Sequence, residues 1–190
     1  TGDTAGVANV NSSSTNVTMP PADVVLTATY APIYALTVNS GTGDGTYFQG
    51  TVVPINADAP LPGYIFDQWT GDTSAVANVR SSNTTVTMPG APVTVTATYL
   101  PVYDLIVNSG AGDGAYLRDQ IVPIIADAPA TGYRFDKWTG DTGTVANVNS
   151  SSTTVTMPAA TVTVTATYIR VYTLTVTSGS GDGLYPASTV

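Results

Sequence analysis

A fixed period of 69 residues constrains this 190-residue chain more than any other feature. The stretch Gly63-Tyr64-Ile65-Phe66-Asp67-Gln68-Trp69-Thr70-Gly71-Asp72 returns as Gly132-Tyr133-Arg134-Phe135-Asp136-Lys137-Trp138-Thr139-Gly140-Asp141. Tyr34, Tyr103 and Tyr172 keep the same spacing, and so do Asp44, Asp113 and Asp182. Self-similarity of this kind means one small unit repeated in series, and it decides the architecture before the chemistry of any single residue. The phase divides the chain into the C-terminal half of a repeat (1–30), two complete repeats (31–100 and 101–169) and an N-terminal half (170–190). The chain is 17 residues short of three periods and reads as a window on a longer protein, cut out of phase.

Within each period the local signals are those of strands. Val93-Thr94-Val95-Thr96-Ala97-Thr98-Tyr99 and Val162-Thr163-Val164-Thr165-Ala166-Thr167-Tyr168 alternate strictly, apolar residues against Thr. Period-two alternation in β-branched residues predicts half-buried strands, and Val24 to Tyr30 is the earlier copy. Tyr34 to Val38 and Tyr103 to Val107 predict opening strands. The Gly-rich turns at 40–45, 109–114 and 178–183 follow, with Gly supplying positive φ and Asp the turn cap. A return strand is predicted over about Tyr47 to Ala57 and about Tyr116 to Ala126. Pro54 and Pro123 within it lack an N–H for the ladder, which predicts a sheet edge or a bulge. In the aromatic centre Trp69 is out of phase with Phe66, which predicts a bulge or twist before the Thr-Gly-Asp turn. Val76 to Val79 suggests one short helical turn. The expected fold is all-β, about five short strands per module with little helix.

Three-residue linkers, Ala31-Pro32-Ile33, Leu100-Pro101-Val102 and Ile169-Arg170-Val171, are too short for flexible tethers and predict a stiff rod. Tyr64, Phe66, Trp69, Tyr133, Phe135 and Trp138 are the expected core aromatics. Tyr30, Pro32, Tyr99, Pro101 and Tyr168 abut the linkers and are expected to pack at the joints.

Chemistry is sparse. With no Cys there are no disulfides or thiolate sites, and with no His and one Lys, triad, thiol and zinc chemistry lack their parts. Asp67 with Asp72, and Asp136 with Asp141, are the carboxylate pairs that could flank a glycosidic bond. The ordinary reading has Asp72 and Asp141 capping a turn and Asp67 and Asp136 facing solvent. Asp44, Asp113 and Asp182 offer hard oxygen for calcium but each stands alone in its turn. Trp69 and Trp138 could stack on surface glycans, against core roles for both. The outward Thr rows (Thr94, Thr96, Thr98) resemble ice-binding arrays, yet Thr is also the usual outward strand residue. A net charge of −8, with all thirteen acids Asp, disfavours nucleic acid. No apolar run has the roughly 20 residues that would span a membrane. The Lys-free repeat 31–100 has no place for a Lys–Asn isopeptide bond.

Taken together, the Tyr-x-Leu-x-Val opening with Ser-Gly-x-Gly-Asp-Gly, the Gly-Tyr-x-Phe-Asp-x-Trp-x-Gly-Asp centre and the Val-Thr-Met-Pro…Val-Thr-Val-Thr-Ala-Thr-Tyr close resemble the divergent InlB B-type repeat, also called the Listeria–Bacteroides repeat. The resemblance implies a small β-grasp-like module, found in tandem in secreted or wall-attached bacterial proteins. It implies an extracellular, cell-surface location and a spacer, stalk or adhesin role rather than catalysis. Residues 70–99 and 139–168 differ at six of 30 positions, which suits an array whose job is extent. Its expected partners are neighbouring repeats and, in a fibre, other copies of the chain. Two alternatives stand beside this reading. One is a filament in which residues 170–190 of one chain complete residues 1–30 of the next. The other is a carbohydrate- or calcium-dependent binding module.

Overall fold

The structure, a computed structural model, describes residues Gly2 to Ser188. Its regular elements are strands and three single 3-10 turns, with no α-helix among the described residues. The strands of the first complete repeat are β1 (Ile33–Asn39), β2 (Gly41–Thr42), β3 (Gly45–Phe48), β4 (Val52–Ala57), β5 (Tyr64–Gly71), β6 (Asn83–Thr87) and β7 (Val93–Asn108). The second repeat opens on the end of β7 and continues as β8 (Gly110–Ala111), β9 (Gly114–Leu117), β10 (Ile121–Ala126), β11 (Tyr133–Gly140), β12 (Ser152–Thr156) and β13 (Val162–Leu174), and β14 (Gly183–Pro186) follows in the next copy. The chain divides into two units, residues up to Asp58 with Trp69–Ala97, and Ala59–Gln68 with the residues from Thr98 onward.

In the first unit β1 pairs antiparallel with β3 and parallel with the start of β7, Leu36 opposite Val93 and Val38 opposite Val95. A second, three-stranded sheet places β4 between β2 and β6, Val53 opposite Val86. The inward residues of the two sheets, among them Leu36, Val38, Val53, Ile55, Val86 and Val95, are buried, as period-two alternation requires. The second unit repeats this plan. There β13 lies between β11, antiparallel, and the later part of β7, parallel, with Val164 opposite Val107. In its three-stranded sheet β10 lies between β8 and β12. Its core joins Leu105, Val107, Val122, Ile124, Trp138, Val155, Met157, Val162, Val164 and Ala166.

Several expectations are corrected. The single return strand is two: β3 ends at Phe48, β4 starts at Val52, and the two join different sheets. Gly50, with φ of 81°, makes the bend between them. Pro54 lies on a central strand, but β2 is only two residues long and pairs at Asn56 and Ala57, so no ladder bond is lost at the proline. The helical turn sits at Thr73–Ala75 rather than at Val76 to Val79, because Val76 is taken by a bridge to Val86. Val24 to Tyr30 forms no strand; only Leu26 bridges, to Gly2. Its later copies are held by a parallel opening strand and an aromatic strand, and among the described residues no such pair of strands flanks Val24 to Tyr30. The register shift between Phe135 and Trp138 on β11 is the bulge that the aromatic phase predicts.

Candidate functional site

Each repeat concentrates its polar side chains on its own backbone. In the turn after β1, Asp44 accepts a hydrogen bond from the Val38 amide at 2.9 Å. Tyr47, arriving on β3, donates from its hydroxyl to the Gly43 carbonyl at 3.1 Å. Asp113 and Tyr116 repeat this at Val107, 2.9 Å, and Gly112, 3.0 Å. Asp182 accepts from the Val176 amide, and Tyr185 donates to the Gly181 carbonyl at 3.2 Å. The three calcium candidates thus serve as turn clamps, each with one carboxylate oxygen on a backbone N–H. No group of three or more His, Cys, Asp or Glu stands together among the described residues. Tyr47, Tyr116 and Tyr185 were not singled out in the sequence, though their 69-residue spacing beside Gly-Asp-Gly is a signal for them.

A second clamp closes the other end. Asp72 donates its amide to the Thr94 carbonyl, 2.9 Å, and accepts the Thr94 amide on its carboxylate, 2.8 Å. Asp141 does the same with Thr163, both at 2.9 Å. These carboxylates therefore grip the neighbouring strand and make no side-chain cap on their own 3-10 turn, which corrects the capping role. Asp67 and Asp136 reach toward the Thr98 and Thr167 hydroxyls, at 3.5 and 3.4 Å. Those hydroxyls also donate to the carbonyls of Gln68, 2.9 Å, and Lys137, 2.7 Å. Asn39 donates to the Thr96 hydroxyl at 3.1 Å. Thr96 and Thr98 are thus engaged through their hydroxyls, while Thr94 is gripped through its backbone.

Trp69 and Trp138 are 1% exposed, and their indole N–H groups donate to the Ser81 and Ser150 carbonyls at 3.0 and 2.9 Å. A ring so enclosed has no face for a sugar, which removes the stacking platform. Phe66 and Phe135 are half-buried and meet Tyr99 and Tyr168 edge to face, centroids 6.1 and 6.2 Å apart. Tyr64 and Tyr133 are corrected from core to surface, at 45% and 44% exposed. Tyr133 stands opposite Arg170, beyond the end of the buried rows.

The joint residues are also corrected. Tyr30 is 91% exposed, and Pro32 and Pro101 are exposed. Tyr99 and Tyr168 pack inside their own repeats, against the aromatic strand. The Tyr168 hydroxyl donates to the Asp127 carbonyl at 2.7 Å and lies 3.3 Å from the Ser109 carbonyl. Partial burial, then the Asp127 carboxylate, pushes its pKa above the usual tyrosine value. Tyr168 lines a shallow pocket of about 290 Å³ with Ser109, Asp127, Pro129 and Tyr133.

These features define a tandem all-β repeat protein whose recurring polar residues hold backbone to backbone. A family model of the divergent InlB B-repeat domain matches three times, over residues 1–33, 34–102 and 103–171, and the chain belongs to that family. The family is one of structural modules, typical of bacterial surface and secreted proteins. Comparison with curated proteins and with solved structures gives no match. Among the described residues no helix is long and apolar enough to cross a membrane.

Proposed function

We propose that the chain is a segment of an extracellular repeat array that serves as a spacer or stalk of a surface protein. The observation that carries this reading is the continuity of β13. It closes the repeat ending at Val171 and opens the next without a break, so the residues expected as a linker, Ile169-Arg170-Val171, are strand. Arg170 pairs with Tyr133, the Val171 amide donates to the Gly132 carbonyl at 2.8 Å, and Tyr172 pairs with Tyr185. A boundary bonded in this way resists bending, whereas a loop would not. The near-identity of residues 70–99 and 139–168 and the use of the repeats' carboxylates as backbone clamps fit a role in extent.

Electron microscopy of arrays with increasing repeat number tests the reading. Discrete particles whose length grows by about 30–40 Å per repeat, the size of a domain this small, support it. Compact particles of constant diameter would reject it. Long uniform filaments grown from single chains would replace it with polymerisation as the function.

A further inference from the structure

In the repeat 103–171 the first and last strands lie side by side and point the same way. The later part of β7 is the first and the start of β13 is the last, with Leu105 opposite Val162, Ile106 opposite Thr163, Val107 opposite Val164 and Asn108 opposite Thr165. The repeat 34–102 sets β1 against the start of β7 in the same register, from Leu36 opposite Val93 to Asn39 opposite Thr96. Parallel neighbours cannot be joined by a tight hairpin, so the rest of each repeat folds as the crossover between them. The chain thus enters each pair at one end and leaves it at the other.

That placement decides how tension reaches the fold. In a tandem chain a pull enters a repeat through its first strand and leaves through its last. The N-terminal end of one parallel strand and the C-terminal end of its neighbour lie at opposite ends of the pair, so the pull slides the strands along their axes. All four facing pairs are then loaded together. A pair pulled from one end parts one rung at a time instead.

The pair is also built to resist sliding. Its inward side chains, Leu105, Val107, Val162 and Val164, are at most 5% exposed, which keeps water from replacing ladder bonds as they stretch. Asn108 donates its side-chain amide to the Thr165 hydroxyl at 3.1 Å, across the last facing pair, and Asn39 does the same to Thr96. On its other edge β13 carries β11, so drawing it out shears a second ladder. Asp113 holds the Val107 amide and Asp141 the Thr163 amide, one carboxylate fastening each strand.

We infer that the parallel pair of each repeat is a mechanical clamp, and that bearing tension along the chain is a function of the array. A spacer needs length alone; the clamp adds load, and it rests on the stalk reading only for the source of the pull.

The test pulls single molecules of the full chain through thiol handles, which the absence of Cys makes site-specific. Pro101, Ala160 and Arg170 are exposed and serve as attachment points. Pro101→Cys with Arg170→Cys loads the pair by sliding, whereas Pro101→Cys with Ala160→Cys loads it from one end. At one loading rate the sliding geometry is expected to rupture at a force at least about twofold higher, since four facing pairs share the load. Asn108→Ala is expected to speed unfolding at constant sliding force at least about twofold, the lower end of what one hydrogen bond contributes, and to leave the one-ended pull unchanged. Equal rupture forces in the two geometries, or sliding resistance that ignores Asn108→Ala, overturns the inference. Neither result alters particle length in the microscope, so the clamp and the spacer fail separately.

Discussion

The indole N–H of Trp138 donates to the carbonyl of Ser150 at 2.9 Å, so the largest core side chain also ties down the polar loop between β11 and β12. Trp138→Phe keeps an apolar ring but strands that carbonyl and leaves space. We expect it to cost about 1–3 kcal/mol, and Trp138→Ala about 3–5 kcal/mol. Chemical denaturation reads both, and a change below 0.5 kcal/mol for the alanine variant, by the size of ordinary surface effects, would deny the indole its core role.

Gly110 presses on the same ring. A Cβ there would stand 2.9 Å from the tip of the Trp138 indole and 2.6 Å from the Ile125 carbonyl oxygen. Neither neighbour can retreat, one being backbone and the other a fully packed ring. Gly110→Ala is expected to destabilise by about 1–3 kcal/mol, as overpacking does, and melting of this variant alone checks it.

Asp113→Ala removes the acceptor of the Val107 amide. The group is exposed, so the expected loss is about 1 kcal/mol. A sharper readout is amide exchange, which should accelerate at Val107 and leave Val164 unaffected. Unchanged exchange at Val107 would show that the carboxylate is not holding the turn.

Tyr168 gives a pH dependence with a definite sign. Its pKa is raised in the fold, so below the unfolded value of about 10 both states are neutral and its contribution is intact. As pH rises past that value the unfolded chain ionises first, and the stability is lost progressively through the folded pKa. Tyr168→Phe should therefore flatten the alkaline limb of the melting curve relative to the native chain. It should also lower stability at neutral pH by about 0.5–1.5 kcal/mol through loss of the bond to Asp127. Parallel alkaline limbs would refute the assignment.

Much of this fold was legible because its determinants are local and repeated. The Val/Thr alternation from 93 to 99 and from 162 to 168 marks strands wherever partner strands exist, and the phase slip between Phe135 and Trp138 marks the bulge. Other features depended on pairing. Val24 to Tyr30 has the same pattern as its copies, yet alternation cannot supply the two flanking strands. The break of the return strand at Gln49-Gly50-Thr51 follows from which sheet each half joins, a choice invisible in residue type. Tyr133 carries an aromatic core signature but lies one step past the end of the buried rows. The clamps of Tyr47 and Tyr116 were recoverable from spacing alone, whereas the cross-strand grip of Asp72 on Thr94 was not, since 22 residues separate donor and acceptor.

The passage of β13 through a repeat boundary bears on how such an array comes apart. Its first half is bonded within the repeat 103–171 and its second half pairs with β14 in the next copy. Peeling that strand from either side frays both copies at once, so the 69-residue period is a unit of sequence and not a unit of melting. Repeat arrays with strong nearest-neighbour terms unfold in blocks larger than one repeat. A protease or a gene truncation that cuts at Val171 would accordingly damage two copies.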